Sequence, residues 1–262
     1  MKIARVQVGG TVAHAVVEGD ELRLIEGDLF GEWKITDQLL SRPQAKFLAP
    51  VDPPQVVAIG LNYRAHASEG NEDVPDAPLI FIKTHNAIVG PGEPILLPKM
   101  APSEVDYEAE LVLVIGTRAK NVARDRAMDY VLGYTCGNDV SARDCQLRFD
   151  KQWARGKCFD TFAPIGPWIE TELDCDDLAI RSVLNGQVMQ DSRTSKMMFP
   201  PAELVWYVSQ CMTLQPGSII MTGTPSGVGF SRTPPVFLND GDEITIEIEG
   251  IGELTNPVAM EA

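Results

Sequence analysis

Three short segments near the start of the chain, KIARVQV, TVAHAVV and ELRLI, set apolar and polar residues at alternate positions. That period is the signature of half-buried strands. Gly9-Gly10 and Gly19-Asp20 separate them with residues suited to tight hairpin turns. A brief helix is expected over TDQLL. The three prolines of LAPVDPPQ, residues 48–55, break any regular element. Residues 1–50 therefore read as a small N-terminal domain and residues 51–262 as the larger one.

Beyond the prolines the pattern changes. VVAIG and PLIFIK are apolar enough to be buried strands, and NYRAHASE between them predicts one to two helical turns capped by Asn62. RDRAMDYVL is amphipathic and predicts a helix. GYTCGNDVSARDCQ runs from a strand into a second short helix, with Ser141 as its N-cap. PPAELVWYVSQCM opens on prolines and carries an apolar stripe at Leu204, Val205, Val208 and Cys211, the clearest helix in the chain. In GDEITIEIEG, Ile244, Ile246 and Ile248 share one face and the acids the other, as in a strand with one wet side. There is no internal repeat, and βαβ alternation is weak. The expected class is mainly β (α+β), with a few helices.

One strand breaks the ordinary pattern. In VDYEAELVLVIG, residues 105–116, Asp106, Glu108 and Glu110 lead at alternate spacing into a run of five aliphatic residues. Residues i and i+2 of a strand face one way, with Cα atoms about 6.6 Å apart. Two ionised carboxylates held that close in a partly buried place repel each other, so one takes a proton or a cation lies between them. An all-oxygen cluster suits Mg²⁺ or Mn²⁺. A solvated strand entrance is the plainer reading, and a metal requires a third ligand. Asp139 in GNDVSARD is one source, although an acid at a helix start is also ordinary. Asp144 is the rival.

Charge and cysteine usage narrow the partners. The formal net charge is −15, from 37 acids and 22 bases, with no Lys/Arg block. Nucleic acid and anionic membranes are thus poor partners. Five cysteines at wide spacing and three histidines, with no CxxC pair, argue against a disulfide framework or a zinc site. Reduced thiols point to the cytoplasm. No signal peptide or apolar stretch long enough to cross a membrane is evident.

Other groups could carry chemistry. His66 and Glu69 lie at i, i+3 on one helical face, where a carboxylate can fix a histidine tautomer for general-base work. A surface His–Glu contact is the alternative. Lys157, between Gly156 and an apolar run, either aims its ammonium at an anion or snorkels to the surface. TGTPSGVG, residues 222–229, is dense in backbone N–H groups and can cradle a carboxylate or phosphate, or be an ordinary tight loop. GxSxG, HExxH, Walker and EF-hand patterns are absent.

Taken in order, NYRAHASE, FIKTHNAIVGPG, DYEAEL, GYTCGNDVSARDCQ, GKCFDTFAPIGPW, LNGQVMQDSRT and TGTPSGVG resemble the fumarylacetoacetate hydrolase family, from about residue 56 to the C-terminus. The resemblance is to its short acylpyruvase, oxaloacetate decarboxylase and 2-hydroxyhepta-2,4-diene-1,7-dioate isomerase members. It implies a mixed β-sandwich roll, a homodimer, and one Mg²⁺ or Mn²⁺ per chain held by Glu108, Glu110 and Asp139. It implies His66 and Glu69 as a water-activating pair and Lys157 as a catalytic lysine. Arg143, Gln146 and Thr224, with the loop after Thr224, are implied to face the substrate. Three carboxylates and a divalent ion sum to −1, so a 2-oxo diacid also needs local cations, Lys157 and Arg143 together with Arg64 or Lys83. The implied activity is C–C hydrolysis of a 2,4-dioxo acid or decarboxylation of oxaloacetate. Isomerisation of a 2-hydroxydienedioate, or a dimer that binds metal and keto acid without turnover, are the alternatives. Phe81, Met197, Met198 and Phe199 are candidates for shaping the pocket around the substrate's tail.

Overall fold

The alternating N-terminal segments pair in sequence order. A computed structural model describes all 262 residues. In it β1 (Lys2–Val8), β2 (Thr11–Glu18), β3 (Glu21–Gly27) and β4 (Trp33–Ser41) form an antiparallel meander. The β1–β2 turn takes Gly9 and Gly10 at φ +56° and +87°, which glycine adopts without a Cβ clash. The far edge of β1 is shared by β5 (Lys46–Leu48) and by a strand from the larger part of the chain.

The TDQLL expectation is corrected: these residues lie in β4, which pairs with β3, Leu22 opposite Leu40 and Arg23 opposite Leu39. An isolated five-residue helix is marginal in water, and the ladder with β3 supplies backbone partners that it would lack.

The rest of the chain contributes β6 (Val56–Gly60), α1 (Arg64–Glu69), β7 (Leu79–Lys83), β8 (Ile88–Val89), β9 (Ile95–Leu97), β10 (Val105–Asp106), β11 (Ala109–Ile115), β12 (Val131–Asn138) and β13 (Ser141–Ala142). Then come α2 (Ala154–Lys157), β14 (Ala163–Glu170), β15 (Ala179–Leu184), β16 (Gln187–Arg193), α3 (Pro201–Cys211), β17 (Ile219–Met221), β18 (Glu243–Ile248) and β19 (Gly252–Met260). One large sheet runs β4-β3-β2-β1-β14-β12-β11-β17-β6-β7, and a second runs β16-β15-β18-β19-β9. Most pairs are antiparallel, but β17–β6, β14–β8 and β19–β9 are parallel, so both sheets are mixed. The sheets pack where β11 and β12 face β15 and β18, giving the expected mixed β-sandwich. The N-terminal meander joins this frame through two residue pairs, Lys2–Glu170 and Ile3–Ile169.

Strand β11 is buried along its whole length, with β12 on one edge and β17 on the other. Helix α3 forms as its prolines and stripe predict, burying Leu204, Val205 and Val208, although Cys211 is exposed. Three local expectations change. RDRAMDYVL is a 3₁₀ turn over Arg124–Tyr130 that leads into β12, rather than an α-helix. Ser141 is no N-cap, because it pairs with Asp106 in the β10–β13 bridge; Asp144 accepts the Cys145 N–H instead. Asn62 does not cap α1, since Tyr63 holds that position. The Asn62 side chain instead links the backbones of Phe199 and Thr222.

Candidate active site

The acidic strand loses its ladder midway through its run of carboxylates. Tyr107 and Glu108 fall between β10 and β11, so the regular alternation is interrupted. The Glu108 N–H bonds the Asn138 side chain at 2.9 Å, and the Asp139 N–H donates to the Glu108 carbonyl at 3.0 Å. These bonds bring the end of β12 against the start of β11. One carboxylate oxygen each from Glu108, Glu110 and Asp139 then lies within 4.8 Å of the others, and all three residues are buried.

Asp106 leaves this group. Its carboxylate accepts N–H bonds from Tyr107, Gly229 and Phe230 and from Arg143 Nε, at 2.7–3.0 Å. Arg143 also donates from Nη1 to Gln146 Oε1 at 2.8 Å. Its Nη2 lies 2.7 Å from Glu108 Oε1, an ion pair outside hydrogen-bond alignment. The Lys157 ammonium bridges Glu108 at 2.8 Å and Asp139 at 2.7 Å. Lys83 bonds the other Asp139 oxygen and the Val140 carbonyl.

This network settles which acids have partners. Burial opposes ionisation of Glu108, but Lys157 and Arg143 outweigh it and hold that carboxyl far below its ordinary range. Burial also opposes charge on Lys157, yet Asp139 and Glu108 raise it. Lys83 is drawn down by burial, helped by Lys157, against the pull of Asp139. Glu110 has no cation of its own and accepts one backbone N–H, from Gly223 at 2.9 Å. Burial, then Asp139 and Glu108, push it well above the usual carboxylate value. Four buried acids (106, 108, 110, 139) against three buried bases (83, 143, 157) leave one negative charge, and Glu110 is the acid left uncompensated. A hard divalent cation takes oxygen donors and would remove that repulsion, so the donor set fits Mg²⁺ or Mn²⁺.

His66 faces this cluster from α1. Its Nδ1 is 2.9 Å from Glu69 Oε1, while Nε2 makes no protein hydrogen bond. Glu69 is itself fixed through Oε2 by the Gly227 N–H at 2.8 Å and the Ser231 hydroxyl at 3.0 Å. The 222–230 loop therefore differs from the expected anion nest. Its N–H groups at Gly223, Gly227, Gly229 and Phe230 hold the protein's own Glu110, Glu69 and Asp106. Gly223 sits at φ +94°, and an added Cβ would fall 2.6 Å from the Asn62 Cβ, so the loop's approach requires glycine.

These groups line a cavity of about 80 Å³, room for several waters or a small acid, since one water needs about 10–15 Å³ of such space. Its walls include His66, Glu108, Glu110, Asp139, Arg143, Gln146, Lys157 and Thr224, with Phe81 and Trp153 packed edge to face at 5.5 Å. Lys83 lies behind Asp139, outside the lining. Arg64 is exposed and also outside it, which removes it from the local cations. Met197, Met198 and Phe199 do not line the cavity either: Met197 bridges to Tyr63, and the other two donate their backbone N–H groups to Asn62. The sequence reading missed Asp106 as a hub for Arg143, and Gln190, whose side chain reaches Ala109 and Thr224. Asp106 was visible only as a third member of the acidic alternation.

Comparison with known proteins follows the same lines. The family described as fumarylacetoacetate (FAA) hydrolase C-terminal matches residues 55–259, and that described as Rv2993c-like, N-terminal, matches residues 1–50. Oxaloacetate tautomerase Fahd2a, mitochondrial, of Rattus norvegicus is 47% identical over 84% of this chain and 71% of its own length. Protein Rv2993c of Mycobacterium tuberculosis is 44% identical over all of this chain and 99% of its own. The crystal structure of 2-hydroxyhepta-2,4-diene-1,7-dioate isomerase from Mycobacterium marinum superposes with a TM-score of 0.89 at 43% identity, covering 100% of this chain and 99% of that one. With the catalytic part matched along nearly its whole length, the chain belongs to the fumarylacetoacetate hydrolase family of enzymes.

Proposed function

We propose that this protein is a divalent-metal-dependent enzyme that acts on a small 2-oxo or 2,4-dioxo acid by proton transfer through its enolate. The observation that carries the reading is the histidine dyad: Nδ1 tied to Glu69, Nε2 free, above three converging carboxylates. The relatives' names support it, because an oxaloacetate tautomerase and a hydroxydienedioate isomerase both interconvert an enol and a keto form.

Held by Glu108, Glu110 and Asp139, Mg²⁺ or Mn²⁺ would supply Lewis-acid stabilisation of the negative charge that develops on the 2-oxo group. The chain's own residues do the rest. Thr224 and the Gln146 side-chain amide receive the substrate carboxylate. Lys157, with two of its three N–H bonds on Glu108 and Asp139, directs the third at the enolate oxygen. In the keto-to-enol direction His66 Nε2 takes a proton from C3 and the enolate oxygen gains one, from the imidazolium or from water. In the reverse direction the oxygen loses its proton and the imidazolium protonates C3, while Glu69 fixes the ring and stabilises its charged form. The edge-to-face Phe81–Trp153 wall limits water at the tail.

C–C hydrolysis is a second reading that the same dyad favours. There His66 takes its proton from a water that attacks C4 of a 2,4-dioxo acid. The C3–C4 bond then breaks, its electron pair goes to the enolate, and C3 is protonated to give pyruvate and a carboxylic acid. Decarboxylation of oxaloacetate uses the enolate stabilisation without the attacking water. We propose a homodimer as the working form.

A side-by-side assay decides among these. Oxaloacetate tautomerisation and decarboxylation, acetylpyruvate and fumarylpyruvate hydrolysis, and 2-hydroxyhepta-2,4-diene-1,7-dioate isomerisation are measured with Mg²⁺ and with EDTA. At least one is expected to proceed, to stop with EDTA, and to fall steeply in His66→Ala. Full turnover by His66→Ala on every substrate would remove the dyad from the mechanism.

A further inference from the structure

We infer that Gln190, on the second sheet, is a positioning residue: it fixes the Thr224 hydroxyl as a hydrogen-bond donor toward the substrate carboxylate. The inference rests on the proposed placement of that carboxylate against Thr224.

Gln190 is fully buried and lies on β16, across the sandwich from the acidic strand. Its backbone N–H bonds the Ser182 hydroxyl at 3.1 Å, which pins the residue to its own sheet. All the side chain's polar atoms are engaged. Oε1 accepts the Ala109 N–H at 2.9 Å, between Glu108 and Glu110. Nε2 donates to the Pro225 carbonyl at 2.8 Å and to Thr224 Oγ1 at 2.7 Å.

The partners determine which way the amide faces. A backbone N–H can only donate, so Ala109 requires the amide oxygen. A backbone carbonyl can only accept, so Pro225 requires the amide nitrogen. With both ends fixed, the second hydrogen of Nε2 must be the one that reaches Thr224. The threonine oxygen is thus an acceptor toward Gln190, and its own proton is left to point elsewhere. Thr224 is 2% exposed, lines the cavity, and donates its hydroxyl proton to no protein group. The free direction is the cavity. A hydroxyl locked as a donor recognises a carboxylate and disfavours a substrate group that itself needs an acceptor.

Gln190→Glu tests this with nearly unchanged shape. A glutamate still accepts the Ala109 N–H, but it can only accept from Thr224 and so captures the hydroxyl proton. The probe is oxalate, with Mg²⁺ saturating, read as an inhibition constant and by calorimetry; KM and kcat on the substrate identified above accompany it. Gln190→Glu and Thr224→Val are each expected to weaken oxalate about tenfold or more and to raise KM more than they lower kcat. The double variant is expected to be no worse than the weaker-binding single one. Thr224→Ser, which keeps the hydroxyl, is expected to retain binding.

Wild-type oxalate affinity in Gln190→Glu beside a loss in Thr224→Val overturns the role of Gln190 alone. Losses that multiply in the double variant overturn it too, as expected of a residue that only stabilises the fold. Wild-type affinity in Thr224→Val overturns the carboxylate placement and the inference together. Gln190→Met, of similar volume and with neither donor nor acceptor, covers the case of an unstable glutamate variant. It frees the hydroxyl to rotate and is expected to bind oxalate more weakly than wild type; equal binding overturns the role of Gln190.

Discussion

Strands β11 and β18 begin from the same sequence idea and reach opposite ends. DYEAEL and EITIEIEG both place acids at alternate positions beside aliphatic residues. In β18 the alternation resolves as expected, with Ile244, Ile246 and Ile248 buried and Glu243 exposed. At the head of β11 every residue is buried, acids included. The difference lies in what covers the second face. The acidic face of β18 is left to water, whereas the β11 acids meet the end of β12, the 222–230 loop and α2. Alternation states which residues share a face; tertiary packing decides whether that face is wet.

The comparison can be broken most directly at the acids themselves. Glu108→Ala and Glu110→Ala are each expected to cost on the order of 10³-fold or more in turnover and to abolish Mn²⁺ binding by electron paramagnetic resonance. Glu247→Ala on β18 should leave both unchanged. Equal losses on the two strands would mean that burial is not what separates them.

The cations come next. Lys157→Met leaves Glu108 and Asp139 facing each other without their bridge, a broken buried pair worth about 3–5 kcal/mol. Urea denaturation should show that loss, and Arg181→Met, at the exposed Arg181–Asp191 pair beside β18, should not.

Metal linkage sharpens the contrast further. Mg²⁺ at a hundred times its dissociation constant should stabilise the protein by about 2.7 kcal/mol. Glu110→Gln should remove that response and raise the melting temperature of the metal-free protein by a few degrees at a pH where the carboxyl must ionise, since it deletes the group whose ionisation burial, Asp139 and Glu108 oppose. Differential scanning calorimetry with and without EDTA measures both.

The smallest effect is the pH slope. Burial and two neighbouring carboxylates raise Glu110 in the folded state, so there it binds more protons than in the unfolded chain. Its contribution to metal-free stability is therefore lost as pH climbs from the ordinary carboxylate range through the raised value. Glu108 is depressed by Lys157 and Arg143 despite burial, and contributes the reverse: stability present above the ordinary range and lost on acidification. Denaturation curves between pH 5 and 8, wild type minus Glu110→Gln, isolate the first slope. A difference that stays flat would mean Glu110 is not strained.

Much of this site was legible in the sequence because its signals are local. Glu108 and Glu110 sit two apart, His66 and Glu69 three apart, and such spacings survive any fold that keeps the element. Asp139 and Lys157 were candidates with plainer alternatives until the family resemblance singled them out, since their approach to Glu108 depends on strand pairing. Gln190 gave no local signal: it serves a loop 34 residues away from the opposite sheet. TDQLL misled for a related reason, because β3 supplied partners that no five-residue window contains. The loop at 222–230 was rightly picked out as rich in N–H groups, yet its nearest acids belong to the protein.

That loop has a practical consequence for redesign. Because three separate acids hang from one nine-residue segment, replacing that segment would disturb Glu69, Asp106 and Glu110 at once. Attempts to retarget the enzyme are better confined to Phe81, Leu147 and Trp153, which line the cavity and hold none of the acids.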